Sequence, residues 1–375
     1  MELGFLPQWD SFETTGDHLP LRKLSSLVSY RSRPYRSLEI ELSTRCNLFC
    51  PSCPRTNYGS NWIERDMSLE TFEKISGVFD RFDTIHFRGW GEPLLNPQFP
   101  EMVRRAYQSG AKLVLTTNGS VPLNHGLLPY FGAVNFRLDY GRAYTYERRN
   151  SQAKFNRVIF NISQVLHDRD LDKSPRPKVI LMFAKNKYSL KELPAYLENA
   201  IRLSPDRVVF YQPKFHVRPV DARGQLPSDV DVELVARMDR RLADMARSAG
   251  LDMVNQRVEV PGRPMACGFD PDRSLFATWR GQVALCRHSA LPVANGQYFR
   301  YQFEKVSVLQ TRVLGDLSPK ALDQIVAGRK INRSRDDCQS ACGDQALAAR
   351  DIRRERRKAA VADQTGKVVH LQRFA

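Results

Sequence analysis

Three cysteines stand close together near the start of the chain. Cys46, Cys50 and Cys53 lie in the segment STRCNLFCPSCPR with the spacing C-x3-C-x2-C. Three thiolates are one ligand short of a closed tetrahedral zinc site, which a distant fourth cysteine could complete. They also suit a cubane iron–sulfur cluster, in which one iron would keep a position for another molecule.

A glycine-rich segment follows some forty residues later, Gly89-Trp90-Gly91-Glu92-Pro93. Glycines allow the backbone to approach a ligand closely, and a carboxylate can pair with an ammonium group. Taken alone, this segment is an ordinary loop between a strand and a helix. Together with the cysteines it indicates a binding site for a small charged molecule.

The elements that position these two segments follow a regular alternation. Short apolar or β-branched runs alternate with amphipathic stretches from about Ser37 onward, which predicts βαβ units and a parallel sheet. Six strands are predicted, at residues 38–42, 84–87, 112–116, 133–138, 178–183 and 207–211. Active sites of such folds lie at the carboxyl ends of the strands. The cysteines follow the first strand and the glycine-rich segment follows the second.

The cysteine spacing after the first strand of a (βα)6 pattern, joined to the glycine-rich segment after the second, resembles the radical S-adenosylmethionine (radical SAM) superfamily. The resemblance implies an α/β fold, a partial (βα)6 TIM-like barrel of parallel strands with a small carboxyl-terminal cluster-binding domain. It also implies a [4Fe–4S] cluster held by Cys46, Cys50 and Cys53, with S-adenosylmethionine (AdoMet) on its open iron. Such enzymes cleave AdoMet reductively to a 5′-deoxyadenosyl radical, which removes a hydrogen atom from the substrate.

The same resemblance implies further contacts to AdoMet. The superfamily's GGEP segment binds the AdoMet amino group, which assigns Gly89, Gly91 and Glu92, with Trp90 in place of the second glycine. More weakly matched positions follow later strands. The expected AdoMet contacts there are Asn118 in a Thr-Asn-Gly turn and Asp139 in a segment that resembles Ser-x-Asp-Gly but lacks the serine. Arg149 is expected to pair with the carboxylate of AdoMet.

Four cysteines remain, Cys267, Cys286, Cys338 and Cys342. Four thiolates complete a closed metal site, and their arrangement resembles the SPASM/twitch class of auxiliary-cluster domains. The resemblance implies a second [4Fe–4S] cluster, with a four-thiolate zinc site as the alternative. A closed cluster beside the active site can accept an electron from a substrate radical, so the net reaction would be an oxidation.

The predicted function is therefore a radical SAM oxidoreductase acting on a small-molecule alcohol or sugar-like substrate. The alternative is a peptide or protein maturase of the same superfamily, forming a thioether or carbon–carbon cross-link or carrying out a formylglycine-type oxidation. The 45 residues before Cys46 are fewer than a leader-binding winged-helix segment needs, which favours the small molecule. A third hypothesis is a nucleic-acid-binding protein whose cysteines bind structural zinc, but this hypothesis leaves residues 89–93 unexplained. Weak candidates for the proton acceptor are His86, Tyr140 and His216.

The composition of the chain indicates which partners and which cellular compartment to expect. The 375 residues contain 57 Lys and Arg against 41 Asp and Glu, a formal net charge of +16. A chain this basic is expected to attract an acidic electron donor such as a flavodoxin or ferredoxin, with nucleic acid an unlikely partner. No apolar run approaches the roughly 20 residues that a membrane span needs, and the first residues lack a signal sequence. The predicted location is the cytoplasm.

The predicted organisation has five parts. They are an amino-terminal extension at residues 1–36, the radical SAM barrel at 37–215, a connecting helical segment at 216–265, the auxiliary cluster domain at 266–343 and a basic helical tail at 344–375.

Overall fold

The computed structural model describes residues 33–150, 152–186, 189–213, 215–218, 232–255, 273–302 and 305–326. Cys267, Cys338 and Cys342 lie outside the described residues, as do the predicted tail and most of the amino-terminal extension. The six predicted strands of the barrel, both loops of interest and Cys286 lie within them.

Six parallel strands form the centre of the sheet and follow one another in chain order. They are β1 (Tyr35–Ile40), β2 (Phe82–Phe87), β3 (Lys112–Thr117), β4 (Phe131–Arg137), β5 (Lys178–Ala184) and β6 (Arg207–Tyr211). Each lies within a few residues of its predicted position. The expected α/β fold with a partial barrel of parallel strands is confirmed.

Helices connect the strands and continue after them. They are α1 (Pro54–Tyr58), α2 (Leu69–Ser76), α3 (Phe99–Gln108), α4 (Ala143–Arg149), α5 (Phe155–Leu171), α6 (Leu193–Leu203), α7 (Val232–Ser248) and α8 (Pro319–Val326). Helix α2 begins where the hydroxyl of Ser68 accepts a hydrogen bond from the Thr71 amide at 3.1 Å. None of the described helices is long and apolar enough to cross a membrane.

The sheet extends beyond the six predicted strands at both edges, to ten strands in the described residues. Strand β7 (Met253–Asn255) pairs in parallel with β6, and β8 (Ser274–Ala277) pairs in parallel with β1. Strand β9 (Gln282–Ala284) continues from β8 in antiparallel fashion. A separate hairpin of β10 (Gln297–Gln302) and β11 (Lys305–Gln310) precedes the short β12 (Gly315–Asp316), which pairs with β9. The predicted segments 216–265 and 266–343 thus both contribute strands to the central sheet, and the domain boundaries stay a prediction.

The two faces of the strands differ in chemistry because side chains alternate with a period of two. One face packs under the helices in a large apolar core that includes Leu38, Ile85 and Leu115. Each such buried side chain contributes about 1.5–3 kcal/mol relative to exposure. The other face carries a small apolar cluster and four polar residues, the buried Glu39, Thr116 and Asn135 and the half-buried His86. The barrel interior is therefore polar near the loops that carry the candidate site.

Candidate functional site

The loop of three cysteines leaves β1 and runs into the short helix α1. The carbonyl of Cys50 accepts a hydrogen bond from the Cys53 amide at 3.0 Å, which turns the chain just before the helix. Arg55 reaches back and donates to the Leu48 carbonyl at 3.1 Å and to Glu64 at 2.7 Å. The loop is thus held from both ends, with its three thiols partly exposed and forming no disulfide.

The surroundings of the three thiols disfavour thiolates in the protein alone. Burial, followed by the charge of Glu92, raises the pKa of Cys46 to about 11. Burial also raises the pKa of Cys50 and of Cys53, and the neighbouring thiol groups add to the effect for Cys50. Three such thiols ionise together only when a metal centre supplies positive charge.

The donor set fits an iron–sulfur cluster, although the sulfur atoms do not form a ready metal site. Within the described residues, no three His, Cys, Asp or Glu side chains are grouped as ligands of one metal ion. Three soft thiolates on a partly exposed loop nevertheless match the ligand preference of iron–sulfur clusters. The three cysteines stay the predicted ligands, and a metal centre would draw them together.

The glycine-rich loop after β2 packs directly on the cysteine loop. A Cβ atom at Gly91 would lie 2.3 Å from the Ser43 carbonyl oxygen and 2.4 Å from that of Arg45. The amide of Glu92 donates to the Arg45 carbonyl at 2.7 Å. Only glycine permits this approach of two backbones. The two loops that the sequence singled out are therefore in contact next to Cys46.

Glu92 joins the glycine-rich loop to the end of β3. Its buried carboxylate accepts hydrogen bonds from the Thr117 hydroxyl at 2.8 Å, the Asn118 amide at 2.8 Å and the Leu94 amide at 3.2 Å. Burial raises the pKa of Glu92 to about 7, and these donors oppose the rise. The side chain of Asn118 lies 3.7 Å from the sulfur of Cys46. Gly91, Glu92, Asn118 and Cys46 thus form one connected group.

The other two expected AdoMet contacts lie in different settings. Asp139 follows β4, accepts from the Ala184 amide at 3.1 Å and lies 3.4 Å from the guanidinium of Arg137. After burial and the neighbouring thiols, the charge of Asp139 also acts to raise the pKa of Cys50. Arg149 is an exposed residue in the last turn of α4. The roles assigned to both residues stay predictions.

The three candidate proton acceptors are not brought together. His86 lies in the barrel interior, 2.7 Å from the Thr116 hydroxyl, and burial and the nearby Arg88 lower its pKa to about 3. The ring of His216 is 3.1 Å from the Pro213 carbonyl. Tyr140 packs against the large apolar core. His86 is thus a neutral hydrogen-bonding group of the interior, and the surroundings of these three residues do not select a base among them.

Trp90 has a contact that the sequence did not reveal. Its indole N–H donates to the Arg287 carbonyl at 2.9 Å, and its ring lies 5.4 Å from that of Phe215 and 5.7 Å from that of His288. The buried Cys286 directly precedes Arg287. The tryptophan therefore connects the glycine-rich loop to the segment that carries Cys286. A tryptophan in place of the second glycine of the GGEP pattern is the sequence signal that could have indicated a contact here, although it does not name the partner.

Glu41, near the end of the first predicted strand, is a buried acidic group beneath the glycine-rich loop. Its carboxylate is fully buried and accepts from the Trp90 amide at 2.9 Å, while its Oε2 has no hydrogen-bond partner among the described residues. A Cβ atom at Gly89 would lie 2.6 Å from its Cγ. Glu41 thus fills the space under the glycine-rich loop.

Burial of Glu41 predicts a pH-dependent stability. Burial raises its pKa from 4.5 to about 8, and the main-chain N–H groups of Trp90 and Trp279 oppose the rise. The folded protein then holds this proton more tightly than the unfolded chain, so stability falls as pH rises from about 4.5 to about 8. The free energy of unfolding of the wild type should fall by up to about 1.4 kcal/mol per pH unit between pH 6 and 8 through this group. We expect Glu41→Gln to remove that part of the fall. Denaturation of the reconstituted enzyme across this pH range measures it.

Glu70→Gln is the matched control for this measurement. Glu70 is exposed and pairs with Lys74, which lowers its pKa, so it is ionised throughout the range from pH 6 to 8. Its replacement should leave the slope unchanged. A slope that is the same in Glu41→Gln and the wild type would contradict the raised pKa of Glu41.

Comparisons with known proteins agree with this geometry. No family model matches the chain. A "tungsten-containing aldehyde ferredoxin oxidoreductase cofactor-modifying protein" of Pyrococcus furiosus is 22% identical over 314 residues, 77% of this chain and 80% of that protein. A GTP 3′,8-cyclase of Acidothermus cellulolyticus is 38% identical over 98 residues, 24% of this chain and 27% of the cyclase. The chain thus spans little more than a quarter of that cyclase.

The fold has a counterpart among solved structures. The structure titled "native anSMEcpe with bound AdoMet" matches with a TM-score of 0.51 and 13% identity, over 77% of this chain and 79% of that one. The sequence matches, this fold and the cysteine and glycine loops together support membership of the radical SAM superfamily.

Proposed function

We propose that this protein is a radical SAM oxidoreductase that oxidises a small-molecule alcohol or sugar-like substrate and passes an electron to an auxiliary [4Fe–4S] cluster. AdoMet on the reactive cluster would supply hydrogen-atom abstraction, a base would take up a proton of the substrate, and the auxiliary cluster would supply an electron acceptor. The observation that carries the proposal is the direct packing of Gly91 on the backbone that leads into Cys46.

The residues of the two loops have separate tasks under this proposal. Cys46, Cys50 and Cys53 would hold a [4Fe–4S] cluster, which with bound AdoMet supplies the radical chemistry. The glycine-rich loop would offer backbone to the AdoMet amino group. Glu92 fixes that loop against Asn118, so it orients the loop as well as adding negative charge.

The auxiliary cluster is proposed at Cys267, Cys286, Cys338 and Cys342. Within the described residues, support comes from Cys286, which is buried and lies one residue from Arg287, the hydrogen-bond partner of Trp90. This contact joins the proposed electron acceptor to the AdoMet loop. A fully ligated cluster has no open iron, so moving electrons and bracing the fold are its natural roles.

The substrate class and the electron donor have indirect support. The Pyrococcus furiosus relative is named for a cofactor that it modifies, which supports a small molecule over a peptide. The net charge of +16 supports an acidic donor such as a flavodoxin or ferredoxin.

Anaerobic reconstitution tests the proposal. We expect the wild type to bind about eight irons, four in each cluster. With dithionite and AdoMet it should release 5′-deoxyadenosine. We expect Cys286→Ala to bind about four irons and to retain AdoMet cleavage within about twofold, because the loss falls on the auxiliary cluster.

Ser289→Ala serves as the control in the same turn, since the Ser289 hydroxyl donates to the Cys286 carbonyl without being a proposed ligand. It should keep all the iron. Tightly bound zinc without AdoMet cleavage in the wild type would reject the proposed function, and an unchanged iron content in Cys286→Ala would reject the auxiliary cluster.

A further inference from the structure

Two arginines from distant parts of the chain converge on one buried carboxylate. Glu39 of β1 lies 3.3 Å from Nη1 of Arg88, and both of its oxygens accept from Nη1 of Arg287, at 3.2 Å and 3.0 Å. The Glu39 side chain is 6% exposed, whereas the side chains of Arg88 and Arg287 are 22% and 23% exposed. The carboxylate thus anchors two guanidinium groups that still reach the surface of the site.

The charges in this group do not balance. Burial acts to raise the pKa of Glu39, but Arg88 and Arg287 outweigh it and hold that pKa at about 2, so the carboxylate is ionised. Burial and the charge of Arg287 lower the pKa of Arg88 to about 10, which leaves it charged at neutral pH. Two positive charges therefore share one negative charge.

The neighbouring side chains of the described residues do not supply the missing negative charge. His86 is neutral, as described above, and Arg137 adds a further guanidinium that already lies 3.4 Å from Asp139. Among the described residues, Glu39 is the one acidic residue in ion-pair contact with Arg88 or Arg287. A partly buried excess of positive charge is costly unless an anion offsets it.

The position of the two arginines points to the substrate. Arg88 directly precedes Gly89 of the glycine-rich loop, and Arg287 directly follows Cys286. Arg88 follows the carboxyl end of β2, and the guanidinium of Arg287 contacts Glu39, the next-to-last residue of β1. Carboxyl ends of the strands form the edge where parallel α/β folds bind their substrates. An anion held there would sit between the proposed AdoMet loop and the proposed auxiliary cluster.

We propose that Arg88 and Arg287, both paired with Glu39, bind an anionic group of the substrate, a phosphate or a carboxylate. The planar guanidinium fork fits both groups with paired hydrogen bonds. This inference rests on the proposed function and adds the charge class of its substrate. The carboxylate of AdoMet has the same chemistry, so the test must separate it from a second anion.

Calorimetric titration of the reconstituted enzyme saturated with AdoMet tests the site, with inorganic pyrophosphate and succinate as probes. We expect the wild type to bind at least one probe. Arg88→Gln and Arg287→Gln should each weaken that binding at least about tenfold, the loss expected for a charged hydrogen-bonding partner. Arg88→Lys keeps the positive charge but not the planar guanidinium, so its affinity for the probe should lie between those of the wild type and Arg88→Gln. An intermediate affinity distinguishes loss of the site from loss of the fold.

Arg81→Gln is the matched control. Arg81 also pairs with a single carboxylate, Asp323 at 2.6 Å, but lies away from the strand ends of the site. The Arg81→Gln substitution removes one positive charge, as Arg88→Gln does, and this variant should bind the probe with the affinity of the wild type. Preference for pyrophosphate over succinate would identify a phosphate-bearing substrate, and the reverse a carboxylate.

Three results would overturn the inference: a wild type that binds neither probe, arginine variants that bind like the wild type, or arginine variants that lose affinity for AdoMet instead of the probe. The last result would assign the arginines to the AdoMet carboxylate. Release of 5′-deoxyadenosine is measured on the same samples without any probe. A wild type that binds the probe through Arg88 and Arg287 but does not cleave AdoMet supports the anion site while rejecting the proposed function.

Discussion

We expect Cys50→Ala to abolish the release of 5′-deoxyadenosine while the sheet stays folded. Cys50 is the middle ligand of the proposed cluster and lies on a partly exposed loop outside the strands. Removing even an outer-shell partner of a metal site costs about 10–100-fold, so loss of a direct ligand should exceed about 100-fold. The measurement is 5′-deoxyadenosine after anaerobic reconstitution, with circular dichroism to verify the fold.

The control for this prediction is Ser52→Ala, an exposed residue two positions further along the same loop. It should retain the cleavage rate of the wild type. Cys50→Ala and Cys286→Ala are expected to lose the same amount of iron, about four atoms each, yet only the first should lose cleavage. If Cys50→Ala cleaved AdoMet normally, the three early cysteines would not hold the reactive cluster.

The second large effect is expected at Gly91. A methyl group there would lie 2.3–2.7 Å from three backbone atoms of Ser43, Thr44 and Arg45, and backbone cannot turn aside as a side chain can. Gly91→Ala must therefore push the glycine-rich loop off the cysteine loop. We expect a loss of about 3 kcal/mol or more in unfolding free energy, at or above the upper end of ordinary overpacking, together with loss of AdoMet cleavage. Denaturant unfolding and 5′-deoxyadenosine measure the two effects.

Gly77→Ala is the matched substitution. Gly77 ends α2 with φ of −60°, and the nearest atom to a new methyl group is the Lys74 carbonyl oxygen at 4.0 Å. Alanine fits there, so stability should be unchanged or rise by about 0.4–1 kcal/mol. Equal stability of Gly91→Ala and Gly77→Ala would show that the two loops are not packed as described.

The parts of the site that the sequence could predict are those carried by local pattern. The six strands were readable because a period of two and flanking turns identify a strand from its own residues. Parallel topology then brings the carboxyl ends of β1 and β2 to one edge, so the meeting of Cys46 with Gly91 followed from position alone.

The parts that escaped prediction depend on contacts between distant residues. Arg287 pairs with Glu39 across 248 positions of the chain, and no local signal marks either as a partner of the other. Glu92 was expected to face the AdoMet amino group, and its bonds to Thr117 and Asn118 depend on how β3 ends beside the loop. Trp90 broke the expected pattern, but only the fold shows which residues it packs against.

The pairing of β1 with β8 has a consequence for synthesis of the protein. Ser37 and Ser274 are neighbours in the sheet although 237 positions separate them. At about 5–20 residues per second, a ribosome needs roughly 10–50 s to make the intervening chain. For that time the strand leading into the cysteine loop has an open edge, which is a template for aggregation. Truncation before residue 274 would leave that edge of β1 open permanently.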